Sequence, residues 1–184
     1  DVSTEVNFIW KIANKLRGTY QSDKYKDVII PMVIIRRFEC ALADTKKAVV
    51  DTFKKNPNYP AKAMYRISKR QFYNTSEFTL AELVNDSDHI AANFRNYISG
   101  FSANVQDIIK SLDFDKQIEK MDKNNRLLSV VKAFSELDLN PVTIDNVKMG
   151  YIFEDLIRRF SENAEAGDHY TGRDIIKLMV NILL

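Results

Sequence analysis

The sequence predicts an all-α fold, a single helical domain of about seven to nine helices. Three observations predict it. Apolar residues recur at the 3.6-residue helical period in most segments. Only five glycines and four prolines punctuate 184 residues. Residues 71–80 alone invite extended structure, as one short β-hairpin.

A first helix is expected from Thr4 to Arg17, with Val6, Ile9, Ala13 and Leu16 on one face. Ser3 or Thr4 can cap its start, and Gly18 can take the left-handed conformation that ends it. A second helix starts near Ser22, turns Tyr25, Val28, Ile29, Met32, Ile35 and Phe38 inward, and continues through Val49 and Phe53. Pro31 lacks a backbone donor and should kink it. The turn-rich Asn56-Pro57-Asn58-Tyr59-Pro60 is its stop. After the extended stretch comes a short helix around Leu80–Val84, then one capped by Ser87 or Asp88, carrying Ile90, Phe94, Tyr97 and Ile98 and ended by Gly100. Val105, Ile108, Ile109 and Leu112 mark another. Leu127, Leu128, Val131 and Phe134 mark the next, and Met149, Ile152, Phe153, Leu156 and Phe160 the penultimate one. On the polar side of that penultimate helix, Glu154–Arg158 and Asp155–Arg159 have the acid-before-base spacing that supports a helix.

Composition narrows the function classes. Apolar and charged fractions of 45% and 28% are ordinary for a globular domain. No apolar run approaches the ~18 residues of a membrane span. The N-terminal Asp1-Val2-Ser3-Thr4-Glu5 lacks the features of a signal peptide, and Cys40 is the lone cysteine, so a cytoplasmic location is expected. His89 and His169 are eighty residues apart, and no metal spacing exists. Net charge is only +2, but Thr45–Arg70 holds eight basic residues (Lys46, Lys47, Lys54, Lys55, Lys62, Arg66, Lys69, Arg70) against one acid, Asp51. Interrupted by Phe53, Tyr59 and Tyr65, this stretch reads equally as a phosphate-contacting surface, with Lys54, Lys55, Lys69 and Arg70 as candidates, and as the solvated face of a helix and its loop.

Several blocks, in order, resemble the modification subunits of type I restriction–modification systems, which are adenine-N6 DNA methyltransferases. They are Ile9-Trp10-Lys11-Ile12-Ala13-Asn14-Lys15-Leu16-Arg17-Gly18; Tyr25-Lys26 leading to Ile29-Ile30-Pro31; and Ile35-Arg36-Arg37-Phe38. They continue with Asn93-Phe94-Arg95-Asn96-Tyr97-Ile98-Ser99-Gly100-Phe101-Ser102, Asp138-Leu139-Asn140-Pro141, and Met149 to Phe160 followed by Ala166 to Ile176. The resemblance implies a helical N-terminal domain over 1–165, then a junction turn and first helix over 166–184 leading into a methyltransferase domain. It implies S-adenosyl-L-methionine as cofactor. The implied partners are DNA, a specificity subunit, a restriction subunit and a second modification subunit. It also places Asp168, His169, Tyr170, Thr171, Gly172 and Arg173 at the first wall of the cofactor pocket. Thr171 and Asp174 have the spacing of a capping box there, and Gly172 replaces the family's usual proline.

No catalytic residue is assigned. Asn56-Pro57-Asn58-Tyr59 mimics the adenine-holding Asn-Pro-Pro-Tyr loop, but it lacks the second proline and precedes the cofactor turn, where the family's loop follows it. The catalytic loop is expected beyond Leu184, and the fragment alone is expected to be inactive. A free-standing helical module that binds protein or nucleic acid is the competing expectation.

Overall fold

Seventeen residues of one helix, Lys26–Leu42 (here α2), form the axis of the molecule, and twelve of them are buried. The computed structural model describes residues 1–162. Among these, ten α-helices and no sheet are present, which matches the all-α expectation and exceeds the expected helix number. They are α1 (Ser3–Ala13), α2, α3 (Lys46–Lys55), α4 (Ala61–Ser68), α5 (Leu80–Asn85), α6 (Ile90–Ser99), α7 (Ala103–Ser111), α8 (Phe114–Lys123), α9 (Leu127–Ser135) and α10 (Asn146–Glu162).

Helix α2 has no solvent face along most of its length because α8 and α9 pack on it and its apolar run leaves no polar side. Pro31 deprives it of one backbone bond, yet it runs unbroken through the buried ring. It does not reach Phe53. The chain turns at Ala43–Thr45 and restarts as α3, with Val49 N–H donating to the Thr45 carbonyl. Helix α1 ends at Ala13 and tightens into a 3-10 turn through Leu16, before Gly18 at φ +89°. Neither Ser3 nor Thr4 caps it; Asp1 accepts the Ser3 N–H instead.

The expected hairpin at 71–80 does not form. That stretch is extended but pairs with the end of α6: Thr75 N–H donates to the Gly100 carbonyl and Ser102 N–H to that of Tyr73. Gly100 is required by this approach, since a Cβ there would lie 2.6 Å from the Ser76 backbone nitrogen. Two helices escaped the sequence reading. Helix α4 turns only Met64 and Ser68 fully inward, and α8 buries Phe114, Ile118 and Met121 beneath a charged majority.

Helix α10 closes the domain. It packs on α1, with the Trp10 and Phe160 rings 5.3 Å apart and the Arg159 guanidinium over Trp10. Asp155 pairs with both Arg158 and Arg159, so the Glu154–Arg158 pair is replaced by a shared acid.

Candidate functional site

Helices α3 and α4 form an antiparallel hairpin, and it carries every candidate basic residue. Residues 56–60 join one pair of ends. At the other pair, the Thr45 hydroxyl donates to the Ser68 carbonyl at 3.3 Å. The four predicted phosphate contacts therefore divide. Lys54 and Lys55 sit at one end of the hairpin, Lys69 and Arg70 at the other, about 15 Å apart by the rise of a ten-residue helix.

Their environments differ as well. Lys54 is ion-paired with Glu77. Arg70 is only half-exposed and close enough to Arg37 to push that guanidinium's pKa down, after the larger effect of burial. Lys69 is exposed, in the left-handed conformation that ends α4. Lys55 is exposed, with no ion pair among the described residues.

Two further residues of the basic stretch are internal or already matched. Lys46 turns inward, donates to Asn74 Oδ1 at 2.6 Å and to the Phe78 carbonyl at 3.0 Å, and lies over the Tyr97 ring. Burial pulls its pKa down to about 8. Lys47 pairs with Asp51 one helical turn on. What remains is Lys55 at the end of α3, with Lys62 and Arg66 on the outer side of α4 and Lys69 at its C-cap, all exposed. In sequence Lys62 and Arg66 belong only to the basic stretch; their common face is defined by the helical course of α4.

A cleft of ≈ 430 Å³ opens beside α2, lined in part by Arg36, Glu39, Cys40, Lys46, Asn74 and Tyr97. Its polar groups are held by one another. Glu39 accepts from Arg36 at 2.6 Å and from the Leu80 N–H, at the start of α5, at 2.9 Å. Tyr97 lies beside Glu39, and its phenol is driven well above the ordinary range, first by burial and then by the Glu39 charge. Burial likewise pushes the Cys40 thiol up, away from the thiolate a nucleophile needs.

Arg36 and Arg37, neighbours on α2, both point inward. Arg36 Nε donates to the Leu137 carbonyl at 2.7 Å. Arg37 is fully buried and donates to the carbonyls of Leu139 at 2.8 Å and Ile144 at 2.5 Å, and to Asn146 Oδ1 at 3.2 Å. The connector from α9 to α10 has no helix of its own to satisfy its carbonyls, and the two arginines do so.

Asn56-Pro57-Asn58-Tyr59 is an exposed turn closed on itself, with Asn58 N–H on Asn56 Oδ1 and Tyr59 N–H on the Asn56 carbonyl. No strand precedes it. The junction at 166–184, with Asp168, His169, Tyr170, Thr171, Gly172 and Arg173, lies outside the described residues. No helix among the described residues is long and apolar enough to cross a membrane.

Comparison with known proteins gives two matches. The HsdM N-terminal domain family matches residues 6–134, from α1 through most of α9. The type I restriction enzyme MjaIX methylase subunit of Methanocaldococcus jannaschii is 21% identical, in an alignment covering 96% of this chain and 35% of the relative. The chain thus spans about a third of the length of the curated relative it matches. No solved structure matches it.

Proposed function

The chain belongs to the HsdM N-terminal domain family, and from that premise we propose that it is the helical part of a DNA methyltransferase subunit that grips DNA and docks the other subunits. In this reading the complete subunit transfers a methyl group from S-adenosyl-L-methionine to adenine N6, in the cytoplasm. It works with a specificity subunit, a restriction subunit and a second copy of itself. Residues 1–165 form the helical domain. Residues 166–184 open the methyltransferase domain, with Asp168 to Arg173 along the cofactor.

The observation that carries this proposal is the family match across most of the chain, together with a relative that extends far beyond the aligned share. Physical chemistry supports the division of labour. An adenine must leave the duplex stack before its amino group can react, which needs a grip on the backbone to either side. The basic α3–α4 hairpin is suited to that task. The cleft beside α2 is not suited to chemistry, because its acid and base groups are hydrogen-bonded to one another and to backbone.

The test is methyl transfer to duplex adenine by the full-length subunit with its specificity subunit, before and after removal of residues 1–162. Loss of transfer together with weakened DNA binding is expected. Full transfer by the truncated subunit overturns the proposal.

A further inference from the structure

Helix α4 breaks local rules of helix stability without an internal gain. Lys62 is its second residue, where a cation opposes the helix dipole. Lys62 and Arg66 are like charges four residues apart, a spacing that destabilises a helix. No acid occurs between Asp51 and Glu77, and Glu77 is taken by Lys54. None of Lys62, Arg66 and Lys69 forms an ion pair among the described residues. At 100° per residue Lys62 and Arg66 lie roughly 40° apart on one side of α4, Lys69 follows at its left-handed C-cap, and the three span about 10 Å along the axis. The inward side of the same helix is fixed by Met64 and by the Ser68 hydroxyl, which donates to the Phe72 carbonyl at 2.8 Å. The outward direction of the ridge is therefore set by the fold. Charges that repel one another along a fixed line are stabilised by a polyanion with matching repeat. One DNA strand presents a phosphate every ~3.4 Å of axis, so the ridge covers about three of them.

We infer that Lys62, Arg66 and Lys69 form the phosphate-binding ridge of this domain and lie along one strand of duplex DNA. The inference rests on the DNA-gripping reading above and changes its residues: Lys54 and Arg70 leave the interface, and Lys62 and Arg66 enter it. The contact is to backbone, so it carries no sequence preference.

The experiment measures affinity of the full-length subunit, assembled with its specificity subunit, for random-sequence duplex DNA across a salt series. Three variants are compared: Lys62→Gln/Arg66→Gln/Lys69→Gln, the control Lys54→Gln/Arg70→Gln, and the charge-keeping Lys62→Arg/Arg66→Lys/Lys69→Arg. The first should make the log–log salt slope shallower by about 2.7, from 0.9 per phosphate, and weaken binding on the order of tenfold at low salt. The other two should keep the parent slope. Glutamine is a good helix former, so circular dichroism of the first variant should match the parent. A slope changed by the control and not by the ridge variant overturns the assignment and leaves DNA gripping to other residues. An unchanged slope with lost subunit assembly overturns it in favour of an acidic protein surface. Unchanged slopes throughout overturn it as well. The domain-removal test above still decides separately whether the domain grips DNA.

Discussion

The Lys46 ammonium and the Asn74 side-chain oxygen meet at 2.6 Å, joining the start of α3 to the extended stretch before α5. Asn74 also accepts the Ser76 N–H at 2.9 Å and donates to the Tyr97 carbonyl at 2.9 Å. Asn74→Ala leaves several buried groups unpaired and should lower stability by about 2–4 kcal/mol. Lys46→Met removes the buried charge along with its bonds and should be milder, while Lys47→Met should change nothing measurable. Urea denaturation ranks the three, and an Asn74→Ala midpoint at the parent value would contradict the network's structural role.

Arg37 should be irreplaceable by lysine. A planar guanidinium reaches the carbonyls of Leu139 and Ile144 and the Asn146 oxygen together, whereas an ammonium on a single stem does not match that fork. Arg37→Lys and Arg37→Met should each lose about 2–4 kcal/mol, with hydrogen exchange rising first in residues 137–146. Equal protection of that connector in parent and variants would count against the arrangement.

Two glycines should respond in opposite senses. At Gly100 an added methyl group meets the Ser76 backbone, and Gly100→Ala should cost about 1–3 kcal/mol. At Gly150, inside α10, an added methyl group meets nothing within 4 Å. Gly150→Ala should raise stability by up to about 1 kcal/mol. Thermal midpoints moving the same way in both would refute the distinction.

Alkaline unfolding should carry the signature of Tyr20. Its hydroxyl donates to Gln117 at 2.8 Å, and burial, reinforced by the Asp27 charge, pushes its pKa from 10.0 up to about 12. The folded state keeps this proton after the unfolded state has released it. The contribution is therefore full below pH 10 and is lost as pH rises toward 12. Tyr20→Phe should abolish that part of the loss. The check is the difference in urea midpoint between parent and variant from pH 9 upward, with a constant difference as the contrary result.

In the full-length subunit, Tyr170→Ala and Arg173→Ala should weaken S-adenosyl-L-methionine binding and leave the helical signal intact. This follows from the proposed cofactor turn. Unchanged calorimetric affinity in both variants would reduce the turn to a helix cap.

Helical periodicity made most of the architecture legible, because burial at 3.6-residue spacing is the signal that folds α1, α2, α6, α7, α9 and α10. It failed at α4, where one inward position is a serine, and at α8, where Phe114, Ile118 and Met121 do keep the helical spacing but sit among seven polar residues. The family blocks were legible as text but not as physics: Arg36-Arg37 look like surface charge until a carbonyl-rich connector lies against them. Charge counting has the same blindness. It gave Lys54 and Lys69 equal weight, although one is ion-paired with Glu77 and the other lies in solvent. Local sequence does not record which side of a basic helix the core will occupy.

Helix α10 is pinned at both ends, by Arg37 of α2 where it begins and by Trp10 of α1 where Phe160 meets it. The direction in which the chain leaves α10 at Glu162 is therefore set by α1 and α2, and α2 is the helix whose end turns at Thr45 into the α3–α4 hairpin.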